Sequence, residues 1–114
     1  MELTRGRELY YQLVNNVHLV LEERNGYIHA GVWDNEEKKS KRLAEIQAQK
    51  ERVKVLIRIN TPGITEIVES LDIEHEVVPE SHNWGHYRMW LFVNEESDVL
   101  KVAKVLRIVK ELTV

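Results

Sequence analysis

The chain contains no cysteine. That one absence removes disulfides, thiol nucleophiles and thiolate metal sites together. With two prolines and five glycines it shows no linker, internal repeat or low-complexity tract. It also lacks a glycine-rich phosphate loop, a Gly-x-Ser-x-Gly elbow and a His-Glu-x-x-His pair. The familiar catalytic patterns are therefore missing, and the chain reads as a non-enzymatic protein without a cofactor. No apolar run approaches the roughly 20 residues that cross a bilayer. The opening Met-Glu-Leu-Thr-Arg-Gly-Arg lacks the apolar stretch of a secretory signal. Both observations predict a cytoplasmic protein with no membrane partner. Positive charge is not in excess either. The formal net charge of −3 argues against a generic polyanion binder, while leaving room for a local basic face.

What is present is ordinary for a globular protein. At 114 residues, 43% hydrophobic and 31% charged, the chain matches one domain covering 1–114. Such a domain buries roughly two-thirds of the surface exposed by its unfolded chain. The missing cysteine, the few glutamines and the abundance of Glu, Lys and Arg fit heat adaptation. In composition, though in no motif, the chain resembles the small proteins of hyperthermophilic archaea and their viruses. A viral origin would imply a host-directed accessory role in the host cytoplasm.

Residues 4–15 carry two periods. Tyr10, Leu13 and Val14 have helical spacing, whereas Leu9, Tyr11 and Leu13 alternate as in a strand; the balance favours a helix. The sharpest local signal follows. Val17 to Arg24 and Tyr27 to Trp33 flank Asn25-Gly26, the pair that best supplies the two positive φ angles of a type I′ turn. A two-residue hairpin then pairs Leu19 with Val32 and Leu21 with Ala30 on one apolar face. His18, Val20, Glu22, His29 and Trp33 take the other.

Asp34, with Glu37 three residues on, reads as a capping box opening a helix over 34–52. The apolar stripe of that helix is thin (Leu43 and Ile46, with Ala44 and Ala48), and Lys38, Lys39, Lys41 and Arg42 crowd its first half. Val53 to Asn60 alternates as a strand, with Val53, Val55, Ile57 and Ile59 on one face. Thr61-Pro62 reads as a helix start for a short helix ending near Leu71. Ile73 to Val78 and His86 to Val93 read as strands around a loop. The final helix opens at Asn94 to Asp98, capped by Asn94 or Ser97. From residue 53 the order β-α-β-β-α predicts an α+β fold: a ferredoxin-like core lacking its last strand, with the N-terminal β-hairpin and helix added. In that layout strands 53–60 and 86–93 lie side by side and antiparallel. The missing edge is filled by the N-terminal hairpin or by a second subunit, or else the hairpin covers the sheet face.

Three groups of residues can carry function. Arg58, Arg88 and Trp90, with Lys54 and the loop residue Trp84, put cations and rings on an exposed sheet face. Single-stranded nucleic acid is bound by such faces, rings stacking on bases and cations holding phosphate. His75, His82 and His86, among nearby carboxylates, offer nitrogen ligands for a metal. Finally, Leu100, Val105, Ile108 and Leu112 lie off the sheet-facing stripe of the last helix and predict a protein contact. On this reading the chain is a small interaction module that forms a homodimer and binds a further protein partner. Nucleic-acid and metal binding are the alternatives.

Overall fold

The computed structural model describes residues 4–58, 63–78 and 87–113. Among them are three helices and six strands: α1 (Arg5–Asn15), β1 (Val20–Arg24), β2 (Tyr27–Asp34), β3 (Lys39–Ala48), β4 (Val53–Arg58), α2 (Ile64–Ser70), β5 (His75–Val77), β6 (Tyr87–Val93) and α3 (Glu96–Thr113). The strands form one sheet in the order β1-β2-β3-β4-β6-β5, with every neighbouring pair antiparallel. The protein is therefore α+β. Strands β4 and β6 lie side by side as expected, and β4 and β5 run parallel with β6 between them.

The Asn25-Gly26 hairpin has the expected register. Leu21 opposes Ala30 and Arg24 opposes Tyr27, and Gly26 takes φ 88°. The first strand is shorter than expected, beginning at Val20. The hairpin does not lie over the sheet: β2 pairs with β3 and so extends the sheet at its edge.

The largest correction concerns 34–52, which is not a helix. Residues 35–38 turn, and Lys39–Ala48 form β3, paired with β2 on one side and β4 on the other. Two physical reasons account for the strand. A bulge opposite Ala30/Gly31 leaves Leu43 as an extra residue, so Leu43 and Ala44 are buried in succession. The alternation changes phase there, and the Leu43–Ile46 spacing imitates a helix turn. The second reason is tertiary. As a helix the segment could bury little, whereas as a strand it completes the backbone ladders of both neighbours. Gly31 makes the bulge possible, because a Cβ there would run into the Lys41 carbonyl.

All three helices pack on one face of the sheet. The core joins Leu9 and Leu13 of α1, Ile64 and Val68 of α2, and Val102 and Leu106 of α3 to Ile46, Val55, Ile57, Met89 and Leu91. Each such side chain contributes roughly 1.5–3 kcal/mol. Helix α1 is capped by Thr4, whose hydroxyl accepts from the Arg7 amide at 3.2 Å. It docks through Gly6, whose amide donates to the Lys50 carbonyl at 3.1 Å.

This docking overturns part of the expected interface. Helix α1 packs beside α3, and Val105 is fully buried in the common core. Leu100 stays exposed at 62% and Ile108 is half-buried; the side chain of Leu112 lies outside the described residues. The helix starts also differ in detail. Helix α2 begins after Gly63 at φ 74°, Thr61 and Pro62 lying outside the described residues. At the start of α3, the Asp98 carboxylate accepts from the Asn94 and Glu95 amides at 3.0 and 3.3 Å. The Asn94 side chain instead donates to Glu74 at 2.6 Å.

Candidate nucleic-acid interface

Strand alternation and the observed registers decide which side chains share the face opposite the helices. Tyr27, His29, Gly31 and Trp33 come from β2, and Glu22 and Arg24 from β1. Ser40, Arg42, Glu45 and Gln47 follow on β3, with Lys54, Leu56 and Arg58 on β4. Trp90 and Phe92 on β6 stand opposite Leu56 and Lys54. No described helix packs on this side.

Lys54 and Trp90 are thus neighbours, but not as an open platform. Trp90 is only 7% exposed and forms, with Leu56, Phe92 and Val78, a small second core. The Lys54 ammonium sits 4.2 Å from the Trp90 ring centroid and 6.0 Å from that of Phe92, whose ring also carries the Arg52 guanidinium at 4.3 Å. These cation–π contacts hold the cations over the rings. Trp90 is therefore a floor of the face, and a base could stack on it only if Lys54 moved aside. Arg88 is half-buried, and its Nε donates to the Val78 carbonyl at 3.2 Å, which ties it to the end of β5. Trp84 lies outside the described residues.

Arg58 is placed differently. It lines a hollow of about 570 Å³ together with Glu37, Lys39, Ser40, Lys41 and Arg42. The basic run that reads as the flank of a helix is thus carried by β3 to the same end of the sheet as Arg58. Four cations and one carboxylate line this hollow. A second, smaller hollow of about 330 Å³ adjoins it through Arg42 and is lined by Tyr27, Glu45, Gln47, Leu56 and Trp90. Arg42 bridges to Glu45 at 2.8 Å and approaches Nε2 of His29 at 3.4 Å. The His29 ring meets Tyr27 edge-on, with centroids 5.9 Å apart. Partial burial, and then the guanidinium groups of Arg42 and Arg24, push the His29 pKa below its ordinary 6.5, so the neutral ring prevails at pH 7.

The exposed ring of this face is Trp33, 55% accessible. Sequence reasoning set Trp33 and His29 on the outer face of the hairpin but gave them no role. Alternation places Tyr27 on the same face as His29 but carries no sign of a role for it, and Gln47 is not legible because the helix expected over 34–52 takes it out of the sheet. Of the expected metal ligands, His75 lies among the described residues. His75 faces Leu91 across β5–β6 and its Nδ1 is 2.8 Å from the Ile73 carbonyl. His82 and His86 lie outside the described residues. Among the described residues, no group of three His, Cys, Asp or Glu side chains could hold a metal, and no helix is long and apolar enough to cross a membrane. Comparison of the chain with protein-family models, with curated proteins and with solved structures finds no match.

Proposed function

We propose that this chain is a small, non-enzymatic binding module that receives a single-stranded nucleic acid across the helix-free face of its sheet. One observation carries this reading: Lys39, Lys41, Arg42 and Arg58, from two neighbouring strands, line one hollow at the end of the sheet, with Arg42 and Arg58 on that face. The chain as a whole is acidic, so a local cluster of this kind is the electrostatic feature that a phosphate backbone would meet. Trp33 supplies an exposed ring beyond it, and along β2 the His29 ring lies between Trp33 and Tyr27, which lines the second hollow. Stacking on such rings tolerates any base sequence. We read the unit β4–α2–β5–β6–α3 as a ferredoxin-like core, with β3 in the place of its missing edge strand. That arrangement leaves one sheet face for a ligand.

The test is fluorescence anisotropy with labelled single-stranded RNA and DNA 12-mers at several salt concentrations. Binding should weaken steeply with salt, the logarithmic slope being roughly −0.7 per phosphate contact on a single strand. Lys41→Ala with Arg58→Ala should lower that slope by about 1.4 and leave the circular dichroism spectrum unchanged. Flat curves for both nucleic acids at low salt overturn the reading and leave recognition of a protein partner. Comparing the two strands shows whether a 2′-hydroxyl is read.

A further inference from the structure

The two adjoining hollows have a joint geometry, and it deepens the reading just given, on which it rests. The smaller one has an apolar floor, Leu56 and Trp90, both buried. Its walls are the Tyr27 ring and the β3 side chains Glu45 and Gln47. Its volume of about 330 Å³ lies at the lower end of the range for small-ligand sites.

Gln47 is half-buried between β2 and β4, opposite Lys54, yet its side-chain amide takes part in none of the hydrogen bonds among the described residues. The same is true of the Tyr27 hydroxyl. The Gln47 amide nitrogen and oxygen are both reached by solvent, so a ligand can take up the donor and the acceptor in place of water. An amide presents one donor and one acceptor side by side, which matches the donor–acceptor edge of a nucleobase. The neighbouring hollow, sharing Arg42, is lined by Lys39, Lys41 and Arg58, the chemistry that holds phosphate.

We infer that the pair of hollows is a subsite for one nucleotide. Its base lies over Leu56 and, once the Lys54 ammonium swings off the ring, over Trp90, with an edge read by Gln47, and its phosphate lies in the cluster of Lys39, Lys41, Arg42 and Arg58. Arg42 stands at the junction, held by Glu45. The protein then does more than attract a polyanion: at this one position it distinguishes bases.

Two measurements test this. The first compares binding of rA, rC and rU octamers and an octamer of abasic residues, for the native protein and for Gln47→Leu. The native protein should favour one homopolymer over the abasic strand by about fivefold or more, the lower end of what one bidentate base contact discriminates. Gln47→Leu should bring the homopolymers to within about twofold of one another while keeping the salt dependence. The second follows the side-chain amide resonances of Gln47 in the native protein, so it holds even where the variant fails to fold. Titration with the four nucleoside 5′-monophosphates should move them, and inorganic phosphate alone should not. If all octamers, abasic included, bind equally and the Gln47 resonances stay fixed, the subsite is overturned while binding across the sheet face stands. If no strand binds at low salt, the wider reading falls, and the subsite with it.

Discussion

The ammonium of Lys54 lies 4.2 Å from the centroid of the Trp90 ring, on the face of the sheet that carries no described helix. This contact turns an expected stacking platform into a closed floor. It also explains how a face without a helical layer keeps Leu56, Trp90 and Phe92 buried: the alkyl stems and charged heads of Lys54 and Arg52 serve as the cover.

Removing the charge while keeping the stem isolates that contact. Lys54→Met should destabilise the protein by about 0.5–1 kcal/mol, read as a lower urea midpoint at unchanged slope. An unchanged midpoint would show that the ammonium adds nothing beyond the packing of its stem.

The bulge in β3 depends on Gly31, where a Cβ would meet the Lys41 carbonyl. Backbone cannot swing away as a side chain can. Gly31→Ala should therefore cost about 1–3 kcal/mol, the range for overpacking. Gly26→Ala has open space around the new methyl group and bears only the strain of φ 88°, about 1–2 kcal/mol. Urea unfolding of the two variants decides whether steric contact or dihedral strain is at work at each glycine.

Helix α3 offers an internal control for the corrected interface. Leu106 is almost fully buried, and Leu106→Ala should lose about 2–5 kcal/mol. Leu100 is mostly exposed, and Leu100→Ala should stay within about 0.5 kcal/mol of the native protein. A large loss at Leu100, growing with protein concentration, would instead reveal that a second chain covers it.

His29 gives a pH signature of definite sign. Its folded pKa is held below the ordinary 6.5 by partial burial and then by Arg42 and Arg24. The unfolded chain therefore binds the proton more readily than the native one, so stability rises with pH across this window. The contribution is fully present above 6.5 and is lost as the pH falls through the folded value. Between about pH 7 and pH 5, His29→Gln should flatten the stability curve relative to the native protein. In NMR the native His29 ring should titrate below an unfolded reference histidine. A midpoint above that reference would reverse the sign.

The hairpin shows what local sequence can determine alone. Asn25-Gly26 selects the turn, the turn selects the register, and the register assigns His29 and Trp33 to one face. The strands from Val53 and Tyr87 and the last helix likewise announce themselves by period. The segment 34–52 does not. Its Glu, Lys, Ala and Leu favour a helix locally, but propensity is worth only a fraction of a kcal/mol per residue. The open ladders of β2 and β4 are a stronger demand, and both are met only when Lys39–Ala48 is a strand. The candidate site followed that decision. Arg58 and Trp90 could be named from alternation alone, but the basic run reached Arg58, and Gln47 reached the floor formed by Trp90, only through long-range pairing. The sequence by itself determined the turn, the periods and the acidic balance of the chain. The tertiary structure decided which strand lies between β2 and β4, because the partners of a backbone hydrogen bond in a sheet come from elsewhere in the chain.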